Sequence, residues 1–457
     1  MTDALAGALS YAKQHRSDFI TSLKTLVEIP SVSTDPEHQA DMQRTANWLA
    51  EQIRALGAGR VEVFPTAGHP VVYGEILQAP GQPTVLVYGH YDVQPADPVE
   101  LWESQPFDPT IRGDYLYARG ASDMKGQIIV VFKAIESIIH NGSMPVNVKF
   151  ILEGEEEIGS PHLKAFIEEH KDLLACDMAL NPDAGMIAAD LPTIIYALRG
   201  LAYFEIRVVG PDHDLHSGVF GGLIQNPANA LAKLIAGMTD DQGRITLPGF
   251  YDKVVPLSSE EKAELARLPM DDAYYLKQTG AVKLFGEAGF TSIERVGARP
   301  TLDVNGMFSG FTGQGSKTVI PSWAMAKVSM RLVPNQDPED VYHQLQQYMQ
   351  ENAPDTIRWE IIRMSGGPAC FASPTSHGAK ALHKALETVW GKRPTYKREG
   401  GSVPVVSDMQ EILGIDSVLT GFGLPDDNIH SPNEKLHLPT WSRGIDAMIH
   451  FFFNLVD

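Results

Sequence analysis

Cysteine is nearly absent from this chain: of 457 residues only Cys176 and Cys370 carry a thiol. They stand far apart with no Cys-x-x-Cys spacing, which argues against a disulfide framework, a thiolate zinc site and dithiol redox chemistry. Both read as small buried hydrophobes. Long apolar runs are missing too: no window approaches the roughly 18 uninterrupted apolar residues of a membrane span. Nor is there a basic run to offset a formal net charge of −20, so nucleic acid and acidic membrane surfaces are repelled and neither is expected as a partner. The first residues, Met1-Thr-Asp-Ala-Leu-Ala, read as the start of an amphipathic helix without a basic region followed by an apolar one, so a cytoplasmic protein is expected. Repeats and low-complexity tracts are lacking as well. What remains, 43% hydrophobic and 21% charged, suits a globular chain long enough for two domains with their own cores.

Against this background one segment stands out. Ile151-Leu-Glu-Gly-Glu-Glu-Glu-Ile-Gly-Ser160 places three successive carboxylates directly after an apolar run. Their mutual repulsion costs stability unless cations sit among them. A solvated helix face is the ordinary fate of such a run. If divalent metals are the cations, one Glu can be a ligand while its neighbour moves protons as a general base.

Other residues decide between these readings. His90 and Asp92 stand in Val85-Leu-Val-Tyr-Gly-His-Tyr-Asp92, at the end of an apolar stretch, 84–88, that reads as a strand buried on both faces. Asp123 lies in a turn-rich loop feeding an amphipathic helix at 127–139, Asp183 follows the short apolar run Met178-Ala-Leu180, and His430 lies beyond a strand-like segment at 417–423. Singly, each has a plain structural role available, as a hydrogen-bonded histidine, a helix cap or an Asx turn. Together they fall at or just past strand ends, where open parallel sheets bind ligands. A joint metal site explains that placement better than chance.

The organisation changes near Gly200. Before it, strand-like runs at 71–76, 84–88 and 146–152 alternate with helical patterns at 40–56, 127–139 and 161–170, a doubly wound, mostly parallel α/β arrangement. From Tyr203 come a strand (203–209), a helix (227–238), an irregular Gly- and Pro-rich stretch, a strand (325–333), a helix (338–351) and a strand (357–364). This predicts an inserted two-layer α+β domain. A helix at 378–390 and a strand near Val418 then resume the first pattern. The expected division is a catalytic domain from 1–200 and 371–457, interrupted by an inserted lid or dimerisation domain at 201–370.

The chain resembles the dinuclear metallopeptidases that include carnosinase-type dipeptidases, aminoacylases and carboxypeptidase-G-like enzymes. The motifs are Gly89-His-Tyr-Asp-Val-Gln-Pro95, Gly120-Ala-Ser-Asp-Met-Lys-Gly126, Glu153-Gly-Glu-Glu-Glu-Ile-Gly-Ser160, Asp214-Leu-His-Ser-Gly-Val-Phe-Gly-Gly222, Lys317-Thr-Val-Ile-Pro321, Arg331-Leu-Val-Pro-Asn335, Glu399-Gly-Gly-Ser402 and His430-Ser-Pro-Asn-Glu434. They span nearly the whole chain in order. The resemblance implies that Asp123 bridges two metals, that His90 and Asp183 complete the first and Glu157 and His430 the second. It also implies that Glu156 is the base, with Asp92 orienting His90. Asp183 lies in the shortest motif, leaving a neighbouring oxygen ligand as an alternative, and Glu155 is a carboxylate the pattern does not require.

The chemistry follows from these residue types. A water shared by two divalent cations has its pKa lowered towards about 7, and the same ions polarise a scissile carbonyl. Glu156 takes the proton and passes it to the leaving amine. His216 is the candidate donor for the developing oxyanion; the resemblance implies that it reaches the other subunit's site in a homodimer, and a turn histidine is the alternative. Carboxylates and imidazoles without thiolate fit two zinc or manganese ions per subunit. Arg331, after an apolar strand-like run, suits a bidentate pair with a substrate carboxylate, with a surface or salt-bridge residue as the alternative; the resemblance implies the substrate pocket, with Thr318, Gly401 and Ser402 adding donors. A carboxylate anchor near the metals favours dipeptides as the small peptide substrate. An N-acyl amino acid amidohydrolase needs the same parts and differs only in the pocket for the N-terminal side. A non-catalytic metal-binding protein would lack the base or a ligand, and Glu156 and Glu157 are both present.

Overall fold

A computed structural model describes residues 2–401 and 403–456 of the chain, which divides into two compact units. One comprises Met1–Tyr196, Ala372–Lys397 and Pro404–Asp457; the other comprises Ala197–Phe371 and Arg398–Val403.

The first unit is built on a mixed sheet. Its strands run, in spatial order, Arg60–Phe64, Val71–Ile76, Asn147–Glu153, Thr84–His90, Met178–Asn181, Asp416–Leu419 and Thr193–Leu198. The four strands from Asn147–Glu153 to Asp416–Leu419 are parallel, and the strands outside them are antiparallel. The expected mostly parallel sheet is thus parallel only at its centre. Residues Val85 to His90 and Val148 to Glu153 are all buried, as strands covered by helices on both faces must be. The helix Lys125–Ile139 is buried along almost its whole length and packs against the helices Thr2–Gln14, Arg16–Val27 and Leu438–Asn454. Side chains such as Ile129, Val131 and Phe132 there each contribute about 1.5–3 kcal/mol by leaving water.

Register positions the functional loops. His90 pairs with Glu153, and Val87 with Leu180, so these three parallel strands release their chains at the same end of the sheet, Met178–Asn181 stopping two residues short of the other two. The loop before Lys125–Ile139 is brought in tightly: a Cβ on Gly126 would lie 2.1 Å from the Ala121 carbonyl oxygen, and Gly120 adopts φ +81°. Only glycine meets both demands.

The second unit is a two-layer α+β domain. Its antiparallel sheet has the order Thr301–Ser309, Trp323–Leu332, Gly200–Val209, Arg358–Gly367. Alternate residues of Trp323–Leu332 are buried under the helices Pro227–Gly237 and Pro338–Asn352, forming a core with Phe204, Ile206, Leu231, Leu234, Val341 and Leu345. The stretch expected to be irregular contains the short helices Ser259–Leu265, Asp272–Thr279 and Ser292–Gly297 and the strand Thr301–Ser309. Of the two cysteines, Cys370 is buried, whereas Cys176 is only half-buried.

Candidate metal centre

All seven side chains expected at a metal site lie in the first unit, six of them at or beyond the ends of the central strands and Asp123 in the loop between Tyr115–Tyr117, a strand of a separate three-stranded sheet, and the helix Lys125–Ile139. His90 is the last residue of its strand, which runs two residues further than anticipated. Asp92 follows it. Glu156 and Glu157 open a short 3-10 turn after Asn147–Glu153, Asp183 comes two residues after Met178–Asn181, and His430 lies in the loop after Asp416–Leu419, a strand shorter than expected.

Asp123 is at the middle of this group. Its Oδ1 is 3.0 Å from His90 Nε2 and its Oδ2 is 3.0 Å from His430 Nε2. On the first side Asp183 Oδ2 is 3.7 Å from His90 Nε2; on the second, Glu157 Oε2 is 3.2 Å from His430 Nε2. Ligand bonds of about 2.0–2.2 Å place neighbouring donor atoms roughly 2.8–3.6 Å apart between octahedral and tetrahedral angles, so these separations are close to those of ligand shells. Asp123 caps no helix; the N-cap of Lys125–Ile139 is Met124, which makes no capping bond.

The electrostatics call for positive charge. Burial disfavours a protonated His90, but Asp183, Asp123 and Asp92 outweigh it and hold its pKa well above the ordinary value. Hydrogen bonds to Asp123 and Glu157 lift His430 to about 10. Asp123 is itself held far below the usual carboxylate range, because the bonds from His430 and His90 prevail over its burial. Burial drives Asp183 the other way, well up. Burial also pushes Glu156 up to about 6, with Glu157, Asp123 and Asp92 adding to it and His90 opposing. Carboxylates and imidazoles crowded in this way fit hard or borderline divalent cations.

Supporting contacts fix the parts. The buried carboxylate of Asp92 accepts the backbone N–H groups of Glu156 (3.2 Å) and Glu157 (3.0 Å). His90 Nδ1 is 3.4 Å from that carboxylate and 3.1 Å from the Asp92 backbone carbonyl. Gln94, to which the sequence assigned nothing, donates to Glu157 Oε2 at 2.8 Å. Glu155 points away: it accepts from the His69 backbone N–H (3.0 Å) and pairs with His162 (2.8 Å), which makes it a structural carboxylate. Glu434, in the motif of His430, gathers Arg119 and three backbone N–H groups of the loop that carries Asp123.

The remaining candidates belong to the second unit. His216 is exposed on a short strand, Leu215–His216, paired with Val319–Ile320. Its Nδ1 accepts from the Gly218 backbone N–H at 3.0 Å, so the neutral ring carries its proton on Nε2. Thr318 is next to it, its carbonyl accepting from Ser217 N at 3.1 Å. Arg331 is half-buried on its strand beside Arg199, whose pKa is lowered to about 10 by burial and then by the charge of Arg331. Arg199, another residue the sequence reading missed, donates from Nε to the Gly400 carbonyl (3.0 Å) and from its backbone N–H to the Gly401 carbonyl (3.1 Å). Ser402 lies outside the described residues.

Residues 86–454 match the profile described as Peptidase family M20/M25/M40. The chain is 31% identical to the Cys-Gly metallodipeptidase of Candida albicans, with 95% of this chain and 94% of that one covered. It is likewise 31% identical to the Beta-Ala-His dipeptidase of Homo sapiens, over 99% of this chain and 92% of the relative. Among solved structures it is similar to an M20 family metallo-carboxypeptidase from Sulfolobus solfataricus, with a TM-score of 0.85 and 34% identity over 96% of this chain and 99% of that one.

Proposed function

The chain belongs to peptidase family M20/M25/M40, and from that premise we propose that it hydrolyses dipeptides bearing a free C-terminal carboxylate. The observation that carries the proposal is Asp123, whose two oxygens each face a different histidine, each histidine with its own further carboxylate. In this reading His90 and Asp183 would hold one divalent cation, Glu157 and His430 would hold a second, and Asp123 would serve both. Zinc is the first candidate and manganese the second. When bound, such cations supply Lewis acidity, lowering the pKa of water and polarising a carbonyl.

The protein's own residues do the rest. Glu156 takes the proton of the attacking water and delivers it to the leaving amine; its backbone is anchored on Asp92, so its carboxylate need not bind metal to stay in place. His216 donates from Nε2 to the oxyanion. Arg331, with Thr318, Gly401 and Ser402, receives the substrate carboxylate. The inserted unit is read as the lid and dimerisation domain of a homodimer. Its sheet has the edge strand Thr301–Ser309, which exposes Val304, Met307 and Phe308. The location is read as cytoplasmic. Among the described residues no helix is long and apolar enough to cross a membrane.

The test is a panel of free dipeptides, C-terminally amidated dipeptides, longer peptides and N-acetyl and N-succinyl amino acids, with zinc and manganese supplied in turn. Free dipeptides should be turned over best. Preference for the acylated amino acids would transfer the assignment to an amidohydrolase, preference for longer peptides to a carboxypeptidase, and no turnover of any would leave a metal-binding protein.

A further inference from the structure

Glu434 is fully buried, four residues beyond His430, and its side-chain carboxylate is hydrogen-bonded to Arg119, Gly120, Ser122 and Asp123. Four of the six backbone N–H groups of the 118–123 loop, and the Arg119 guanidinium, go to it. Its backbone carbonyl accepts from Ala118 N at 3.1 Å. Its Oε2 accepts from Arg119 Nη1 at 2.8 Å and Gly120 N at 2.9 Å, and its Oε1 from Ser122 N at 2.9 Å and Asp123 N at 3.1 Å. Backbone N–H groups arranged around one point form an anion-binding nest, and here the anion is covalently part of the His430 loop. A second tie runs parallel: Ser122 Oγ donates to Asp427 Oδ2 at 2.7 Å.

Two consequences follow for Asp123. Its own N–H is fixed, so rotation about its backbone is restrained while the carboxylate stays between His90 and His430. Arg119 also neutralises Glu434, so the nest is filled without adding net negative charge to a centre already crowded with carboxylates. We propose that Glu434 is a positioning residue that locks the Asp123 loop to the His430 loop, setting the spacing of two of the side chains read above as metal ligands. This rests on the metal-centre reading, and it gives Glu434 a part in metal affinity with no contact to metal.

The experiment uses the full-length chain, stripped with a chelator and titrated with Zn2+ against a chromophoric competitor. Glu434→Gln keeps the side-chain size but turns a donor toward N–H groups that need an acceptor. It should weaken zinc binding by about tenfold or more, as loss of a group that orients a ligand does. In the metal-free protein, amide hydrogen exchange of the 118–123 segment should accelerate. Glu287→Gln is the control: it breaks another buried pair, the twin 2.7 Å bonds to Arg299, in the other unit. It should lower stability and leave the zinc affinity within about twofold of wild type. If Glu434→Gln does not fold, Arg119→Lys, which keeps the charge and removes the guanidinium fork, is titrated instead and should weaken binding by about threefold or more. Wild-type zinc affinity in whichever variant folds overturns the inference alone. A wild-type chain that binds neither zinc nor manganese overturns the metal-centre reading and this inference with it.

Discussion

Replacing Asp92 by Asn tests how the base and its neighbour are held. The wild-type carboxylate is buried and accepts two backbone N–H groups, one on each oxygen, from Glu156 at 3.2 Å and Glu157 at 3.0 Å. In the amide one of those oxygens becomes an NH2 group facing a donor. One buried N–H is then unpaired, at about 1–3 kcal/mol, and the surviving bond drops from a charge-assisted to a neutral one, for a total of about 2–4 kcal/mol. The peptides of Glu156 and Glu157 should relax apart, and a displacement of about 1 Å at a reacting group costs roughly a hundredfold in rate. Urea unfolding and kcat on the best dipeptide, both with metal in excess, measure the two effects together. Loss of stability with kcat kept within about threefold of wild type would refute the idea that Asp92 positions the base, leaving it a packing residue.

Three further outcomes are expected. Glu156→Gln should lower kcat by at least about a hundredfold with bound metal and KM little changed, as elemental analysis and steady-state kinetics would read; loss of a metal equivalent would make it a ligand instead. Arg331→Lys should markedly weaken kcat/KM for dipeptides because the bidentate geometry is lost while charge is kept; equal wild-type turnover of amidated and free dipeptides would remove this role. His216→Ala and Glu156→Ala should each be nearly inactive, yet mixing equal amounts under subunit exchange should return roughly a quarter of wild-type activity, since half the dimers hold one complete site. No recovery despite exchange shown by tagged-chain pull-down would mean that His216 acts within its own chain or not at all.

Much of the architecture is legible in the sequence where burial is two-sided. The strand Val71–Ile76 coincides with its expected bounds, and the Thr84–His90 and Asn147–Glu153 strands differ by one or two residues, because continuous apolar runs bounded by polar turns leave few alternatives. The strand Thr301–Ser309 is not legible. Its residues are exposed or half-exposed, its register shifts between Val304 and Gly306, and it is held by pairing with Trp323–Leu332, a partner invisible to local periodicity. The same contrast holds at the centre. His90, Asp123 and Glu157 bring donor atoms within 4.8 Å of one another, His90 and Glu157 from strand ends that a topological rule singles out and Asp123 from the turn-rich loop feeding the helix Lys125–Ile139. Glu434, Gln94 and Arg199 reveal themselves only through partners far away in sequence, and no spacing encodes a hydrogen bond between residues 120 and 434.

The place of Asp416–Leu419 in the sheet has a consequence for biosynthesis. This strand lies between Met178–Asn181 and Thr193–Leu198, yet more than 200 residues separate it from either. At ribosomal rates of about 5–20 residues per second, the nascent chain waits some 10 s or longer with a slot open in the middle of its largest sheet. During that interval the inserted unit can complete its own core, while the first unit presents unpaired strand edges to whatever is nearby. Dependence on a holding chaperone during translation, relieved only once His430 has emerged, would be the cellular signature of this chain order.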